Sequence, residues 1–330
     1  VDILDFNKLQ LVSTQLKLKP ELETKDWKFQ DRCPVCNCLN LIKGEFIPGD
    51  AYQFGDAIIP FPPEGIAINK CPACDLYYKS AIPTVSFLSK IFSTEAEKVW
   101  SDNYDFVDEI AEITKLTNSQ SLDVLDIGVG NGCLLKSFKK QGIKGRRSGL
   151  DVVKHQELDR YLSGEFIKGL IDDPELEWEG KQYDLVTMFD VIEHLYSPIQ
   201  AFRNLQNLIK TGGYLTIETG DVENYWPQTY DPANWWYVNL FEHHVFWSQK
   251  TLVQIAQQHG FSVISCTVKP HKTRKNEKWL TKIKMLVQVL GYTLNPHLYM
   301  QLKQYFGKKA IQPWNPVAKD HLQLILQKTA

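Results

Sequence analysis

Residues 124–132 read Val-Leu-Asp-Ile-Gly-Val-Gly-Asn-Gly, a run whose residue types and spacing suit a ligand-binding turn. Val124, Leu125 and Ile127 predict a buried strand. Gly128, Gly130 and Gly132, with Asn131 between them, let the backbone turn tightly and approach a ligand closely. A dinucleotide loop needs Gly-x-Gly-x-x-Gly, so that a pyrophosphate sits on the following helix N-terminus. Here the third glycine comes one residue early, and Cys133 stands where that fingerprint has its last glycine. Asp126, at the strand end, would repel a pyrophosphate but pair with an ammonium group. The next predicted strand, Ser148–Val153, ends near Asp151. An acidic residue ~20 positions beyond the glycines of a βαβ unit reaches ribose hydroxyls. The ligand that suits these positions carries an ammonium group and an adenosine but no phosphate.

S-adenosylmethionine (SAM) meets that description, and the run resembles motif I of the class I SAM-dependent methyltransferases. A second stretch, Tyr183–Leu195, reads as a buried strand that delivers Phe189 and Asp190 to the C-terminal edge of a sheet, where ligands of open α/β sheets bind. Its Asp-Val-Ile-Glu-His-Leu run, followed by a helix and Gly-Gly-Tyr-Leu, resembles the ubiquinone-biosynthesis-like branch of these enzymes. The resemblance implies a divalent metal near an acceptor hydroxyl, held by an ExxEH arrangement in some relatives. Asp190, Glu193 and His194 occupy those places and could hold Mg2+ or Mn2+, or Glu193 and His194 could pin the loop by hydrogen bonds. Leu170-Ile171-Asp172-Asp173 follows a further strand, and one of its two aspartates, Asp172 or Asp173, is the candidate for the adenine amino group.

The third cluster is Asn239–Ser248, which holds Glu242, His243 and His244. Methyl transfer from a sulfonium has a good leaving group, so the protein supplies mainly alignment and acceptor deprotonation. Histidine suits the base role. His243 is the expected base, Glu242 its orienting partner and His244 the alternative. The cluster resembles the Glu-His segment of sugar methyltransferases that carry an N-terminal zinc domain; Leu240 stands where their C-methylating members have a Tyr. Asn224-Tyr225-Trp226-Pro227 and Asn234-Trp235-Trp236-Tyr237 could stack on a sugar or planar acceptor, or pack a cap against the core. Trp100 and Tyr104 are placed to close the pocket from the other side.

Seven cysteines are present, and four make a CPxC…CPxC pattern: Cys33 with Cys36, and Cys71 with Cys74. Each short loop points two thiolates at one tetrahedral ion, so the expectation is a structural Zn2+. A thioredoxin-like redox pair would need a single CxxC opening a helix. Cys133 and Cys266 read as small core residues.

Positioning these groups calls for an α/β fold: a Rossmann-like, seven-stranded class I methyltransferase sheet with a small N-terminal zinc-binding module and a C-terminal helical cap insertion. The predicted organisation is a zinc module over 1–90, a helical connector over 91–120, a SAM-binding core over 121–268, a basic cap over 269–320 and a final strand over 321–330. Core strands are expected at Leu122–Ile127, Arg147–Val152, Glu165–Lys168, Tyr183–Met188, Gly213–Glu218 and Phe261–Val268. Helices are expected at Leu134–Gln141, Ser197–Leu208 and Gln249–His259. His321–Lys328 alternates in part like a strand and is expected to pair with Phe261–Val268 as an antiparallel hairpin. The intervening 269–320 carries eleven Lys and Arg against Glu277 and Asp320. It could form a lid, dimerise or lie on an anionic membrane surface.

A net charge of −2 gives no global pull toward nucleic acid, and no apolar run reaches the ~18–20 residues needed to span a bilayer. The N-terminus lacks the pattern of a signal peptide, and the expectation is a cytoplasmic protein. The combined reading is a SAM-dependent methyltransferase acting on a small-molecule acceptor, a sugar (free or nucleotide-linked) or specialised metabolite. O-methylation is favoured over C- or N-methylation. An RNA methyltransferase anchored by its zinc module is the rival, opposed by the acidic residues around the knuckles. A non-catalytic SAM-binding scaffold is the other alternative.

Overall fold

The computed structural model describes residues 24–99, 104–178, 180–225, 231–271, 279–306 and 308–329. The N-terminal part is a set of short antiparallel pairs. β1 (Trp27–Phe29) pairs with β6 (Ala81–Pro83), and β2 (Ala51–Phe54) with β3 (Ala57–Pro60). β4 (Ile68–Lys70) pairs with β5 (Tyr77–Lys79). Two helices follow, α1 (Val85–Val99) and α2 (Val107–Thr117).

A parallel α/β succession comes next: β7 (Val124–Ile127), α3 (Cys133–Lys140), β8 (Arg147–Asp151), β9 (Phe166–Lys168), β10 (Tyr183–Phe189), α4 (Pro198–Leu208) and β11 (Ile209–Gly220). After the two-residue β12 (Val245–Phe246) come α5 (Gln249–Gln258) and β13 (Phe261–Lys269). Helices α6 (Trp279–Leu294) and α7 (Pro296–Tyr305) then precede β14 (His321–Lys328). The central sheet has seven strands in the order β13-β14-β11-β10-β7-β8-β9. β11, β10, β7, β8 and β9 run parallel, and β14 is antiparallel to both neighbours.

The expected strands and helices therefore form, within a few residues at their ends. The expected hairpin forms as well, with Phe261 opposite Lys328 and Lys269 opposite His321. β11 differs from expectation. It begins at Ile209 rather than Gly213 and absorbs the Thr211-Gly212-Gly213 turn as an irregularity: Tyr183 faces Ile209, but Leu185 faces Tyr214. Gly212 takes φ 77° there, a conformation that glycine adopts without strain. Ser248 caps α5, its hydroxyl accepting from Thr251 N–H at 3.2 Å.

The parallel strands are apolar on both faces, because helices cover both sides of the sheet. Leu125, Val186, Leu215 and Leu324 have no exposure, and Phe202 of α4 packs into the same cluster. A second apolar cluster joins the N-terminal pairs and α1 to residues 222–246. Phe241 sits at its centre, with ring centroids 5.8–6.4 Å from Trp27, Tyr52, Phe54 and Phe87. The backbone joins the two parts as well: β12 pairs antiparallel with β5, extending the β4–β5 pair to three strands. On α6, Leu286, Val287, Leu290 and Leu294 are exposed. Among the described residues no helix is long and apolar enough to cross a membrane.

Candidate active site

A cavity of about 450 Å³ opens at the C-terminal edge of the sheet. It is walled by Asp126, Gly128, Gly130, Asn131 and Asp151 of the β7 loop and β8 end. It is also walled by Phe189, Asp190, His194, Trp236, Tyr237, Glu242, His243 and His271. Tyr104 lines it too; Trp100, Trp226 and Pro227, also named from sequence, lie outside the described residues.

The glycine loop divides its work. Gly128 (φ 69°) tolerates no side chain, since a Cβ would sit 2.4 Å from Val191 Cγ2. A Cβ on Gly130 (φ 49°) would meet only the Gly128 carbonyl oxygen, at 4.0 Å, and would otherwise occupy the open space of the cavity. Gly132, expected to face the ligand, instead begins α3 (φ 82°), and its missing side chain makes room for Leu158 and Tyr161. Asp151 accepts from Gly130 N–H at 2.9 Å and from Val153 N–H at 3.4 Å, which ties the loop to the end of β8. Asp126 accepts from the Thr187 hydroxyl at 2.8 Å, and burial raises its pKa to about 7.

Asp172 is a correction. Its carboxylate accepts from Tyr196 N–H at 2.7 Å and Ser197 N–H at 2.8 Å, the entry to α4, and it does not line the cavity. Gly169, Leu170 and Ile171 line the wall at that point instead.

The Glu-His-His segment is also rearranged. Glu242 and His243 both line the cavity, yet Glu242 Oε2 and His243 Nδ1 are buried without hydrogen-bond partners, so Glu242 does not orient the imidazole as expected. The carboxylate beside His243 is Glu193, whose Oε1 lies 4.0 Å from Nε2. The His243 ring is held between Tyr237 and His194, at centroid distances of 4.1 and 4.9 Å. His244, the alternative base, is fully buried outside the cavity wall with its ring 4.7 Å from that of Tyr196. Its backbone supplies the junction: His244 N–H donates to the Glu193 carbonyl at 2.7 Å, and Lys79 N–H donates to the His244 carbonyl at 3.0 Å.

Glu193 has no exposure. Its two oxygens accept from the Tyr237 hydroxyl and, at 2.9 Å, from the Thr219 hydroxyl. Burial and then Asp190 raise its pKa to about 8. The Asp-x-x-Glu-His trio does not converge on one point. Glu193 and His194 group with His243, whereas Asp190 groups with His271 and His321. His271, His321 and Lys79 were not foreseen from the sequence. The two histidines flank the hairpin strands, so the predicted pairing of β13 with β14 already implied that they meet. Lys79 is fully buried in the N-terminal part and donates to the Leu240 carbonyl at 2.6 Å, beneath Glu242. Burial raises the Glu242 pKa to about 7 against the opposing pull of Lys79. In the aromatic loop, Trp235 is core, and Trp236 and Tyr237 line the cavity.

The four cysteines of the CPxC loops come together at the far end of β4 and β5, with Sγ atoms 3.5 Å apart for Cys33–Cys74 and 3.4 Å for Cys36–Cys71. Those spacings are close to the edge, about 3.8 Å, of a tetrahedron of sulfurs 2.3 Å from a central ion. The two loops are built alike. Asn37 N–H and Asp75 N–H turn back to the Cys33 and Cys71 carbonyls, and both residues adopt positive φ, 59° and 60°.

Burial also fixes a pH dependence. It lowers the His194 pKa to about 4 and holds that of His244 well below the usual imidazole range. The unfolded chain takes up protons at these histidines below ~6.5 while the folded chain does not, so their stabilising contribution is present above that pH and falls as pH drops toward about 4. Each contributes a slope of up to about 1.4 kcal/mol per pH unit. His244→Gln is expected to flatten the acid limb of thermal stability measured between those limits; an unaltered limb would show that His244 is protonated in the fold.

Residues 95–266 match the family described as a methyltransferase domain. Among curated proteins, the chain is similar to the ubiquinone biosynthesis O-methyltransferase of Vibrio vulnificus, 32% identical over 101 residues, which is 29% of this chain and 43% of that protein. It is also similar to the mitochondrial ubiquinone biosynthesis O-methyltransferase of Candida albicans, 30% identical over 126 residues, 34% of this chain and 37% of that one. The matched segments thus span less than half of these relatives. Among solved structures, the Burkholderia thailandensis 1,6-didemethyltoxoflavin-N1-methyltransferase, with bound 1,6-didemethyltoxoflavin and S-adenosylhomocysteine, superposes with a TM-score of 0.48 at 14% identity, over 80% of this chain and 96% of that one. By the match over half its length and by its mostly parallel seven-stranded sheet, this chain belongs to the methyltransferase-domain family and has the Rossmann-like fold of the class I SAM-dependent enzymes.

Proposed function

We propose that the chain methylates a small molecule with SAM as donor, and that the acceptor is a sugar or specialised metabolite methylated on oxygen. The observation that carries this reading is one cavity lined by Asp126, Gly130 and Asp151 together with Trp236, Glu242 and His243. The residues suit the donor. Gly130 leaves open the space that a Cβ would fill, Asp151 stands at the ribose end, and the raised pKa of Asp126 drops again once an ammonium group pairs with it. SAM, when bound, supplies a methyl group on a sulfonium, which needs little help to leave.

The protein's own part is to align the acceptor and hold a proton. His243 is neutral because burial keeps its pKa well below the usual range, so a ring nitrogen has a lone pair for an acceptor hydroxyl. Glu193, with Oε1 4.0 Å from Nε2, is the carboxyl group beside the imidazolium that forms, and a cation there draws its raised pKa back down. Trp236 and Tyr237 close the cavity and exclude water. The CPxC pairs hold a structural Zn2+, which stiffens the loops beside β4 and β5. Asp190, Glu193 and His194 do not converge, which favours the hydrogen-bonded loop over a shared Mg2+. The exposed apolar row of α6 supports contact with a lipid surface or lipid-linked acceptor. A cytoplasmic location fits cysteines that serve an ion as thiolates rather than pairing as disulfides.

Asp151→Ala is expected to lower SAM affinity by tenfold or more in calorimetry with the far-ultraviolet spectrum unchanged; equal affinity would remove Asp151 from the ribose site. Cys71→Ser is expected to lose one zinc by elemental analysis and to melt at lower temperature. A variant that keeps its metal and melting point would sink the four-cysteine site. His243→Ala is expected to lower turnover by ~10²–10⁴-fold while SAM still binds. Undiminished turnover in an acceptor screen that begins with sugars would move the base elsewhere.

A further inference from the structure

The β13–β14 hairpin carries two histidines to the cavity edge, where β10 delivers a carboxylate. His271 lies just beyond β13, His321 opens β14, and Asp190 follows β10. One donor atom from each lies within 4.8 Å of the others. His271 Nε2 is 3.7 Å from Asp190 Oδ2. That is too long for a hydrogen bond, and it is near the about 3.4 Å edge of a tetrahedron of donors set 2.1 Å from an ion.

The support behind these groups is more specific than proximity. His321 has no exposure, and its Nδ1 lies 2.8 Å from Asp320 Oδ1. An acceptor there keeps the proton on Nδ1 and leaves a lone pair on Nε2. That Nε2 is buried with no hydrogen-bond partner. Asp320 is itself fixed, its Oδ2 accepting from Trp236 Nε1 at 3.2 Å and Trp235 Nε1 at 3.4 Å. Carboxylate behind imidazole, with the far nitrogen bare, is the outer arrangement that orients metal-ligating histidines. Asp190 Oδ1 and His271 Nδ1 are likewise buried without partners. Asp190 adopts φ 53°, a left-handed conformation that a non-glycine residue holds at a cost and that often marks a functional position. The neighbouring Glu193–His194–His243 group lacks this character, since both Glu193 oxygens are already taken by hydroxyls.

We propose that Asp190, His271 and His321 form a second metal site, separate from the four cysteines, that binds one divalent first-row transition ion such as Zn2+ or Mn2+. Two imidazoles and a carboxylate suit such ions, and three protein donors leave coordination positions open. Asp190 and His271 line the cavity, so an open position faces it. On the methyltransferase reading, the ion would polarise an acceptor hydroxyl in that cavity; metal binding itself does not rest on that reading.

The test is a Co2+ titration of the zinc-replete full chain, followed by visible absorption. One equivalent of Co2+ is expected to bind with ligand-field bands and without sulfur charge-transfer bands, which keeps the cysteines out of it. His271→Ala is expected to weaken binding by at least tenfold, and Asp320→Asn by roughly 10–100-fold through the lost outer support. Asp190→Asn provides the same readout if His271→Ala does not fold, and His194→Ala is expected to bind as wild type does. No Co2+ uptake by the wild type, or uptake undiminished in His271→Ala and Asp190→Asn, overturns the proposal. So does loss in His194→Ala alone, which would assign the ion to the neighbouring group. Calorimetry with SAM on the same sample separates the two claims: SAM bound without Co2+ sinks only the metal site, and Co2+ bound without SAM sinks only the methyltransferase reading.

Discussion

The short ladder between β5 and β12 is the constraint on which the candidate site depends. Val245 faces Tyr78 and Phe246 faces Tyr77, directly after the Glu242-His243-His244 segment. A cysteine-built module thereby sets the backbone of a segment some 165 residues away in sequence, roughly the separation of Lys79 from His244, whose N–H and carbonyl bond directly. Two residues of strand would be weak alone. They are reinforced by Phe241 in its cage of aromatic rings and by the Lys79 side chain donating to the Leu240 carbonyl. A rigid element behind Glu242 and His243 suits the base role proposed for His243, since small errors of position cost large factors in rate.

The price of this arrangement is electrostatic. Glu193, Glu242, His243 and His244 are all buried, and Lys79 is buried beneath them. Low dielectric favours the neutral forms, which moves carboxyl groups up and imidazoles down. The cluster is therefore less charged than its composition implies, with pKa values of about 8 for Glu193 and about 4 for His194. Such a site changes its protonation when a cationic ligand or a proton-donating acceptor enters. Nearby, Lys269 bridges Glu218 of β11, at 2.6 Å, and Glu109 of α2, at 3.3 Å, tying the helix before the core to the far side of the sheet.

Much of this was legible in local chemistry. The glycines at 128 and 130, Asp126 and Asp151 reach one cavity because a strand, a tight turn and a second strand place them there whatever surrounds the unit. The cysteine pairs meet because each CPxC loop is self-contained. Misplacements arose where one residue has two possible partners. Gly132 and Asp172 sit at loop positions that could face a ligand, and they face a helix and a helix start instead. Glu242 adjoins His243 in sequence and both reach the cavity, yet the carboxyl group beside the His243 ring comes from Glu193, about fifty residues earlier.

The sequence by itself determined the sheet, the turn chemistry and the family, since hydrophobic period, glycine spacing and strand-end carboxylates are local signals. Tertiary structure alone decided which side chains share a space. Asp190 left Glu193 and joined His271 and His321, because a left-handed turn after β10 swings it toward the hairpin of β13 and β14. Lys79 came beneath Glu242 because two strands distant in the chain pair. Contacts of that kind depend on how finished elements pack, and no pattern along a single stretch of chain encodes them.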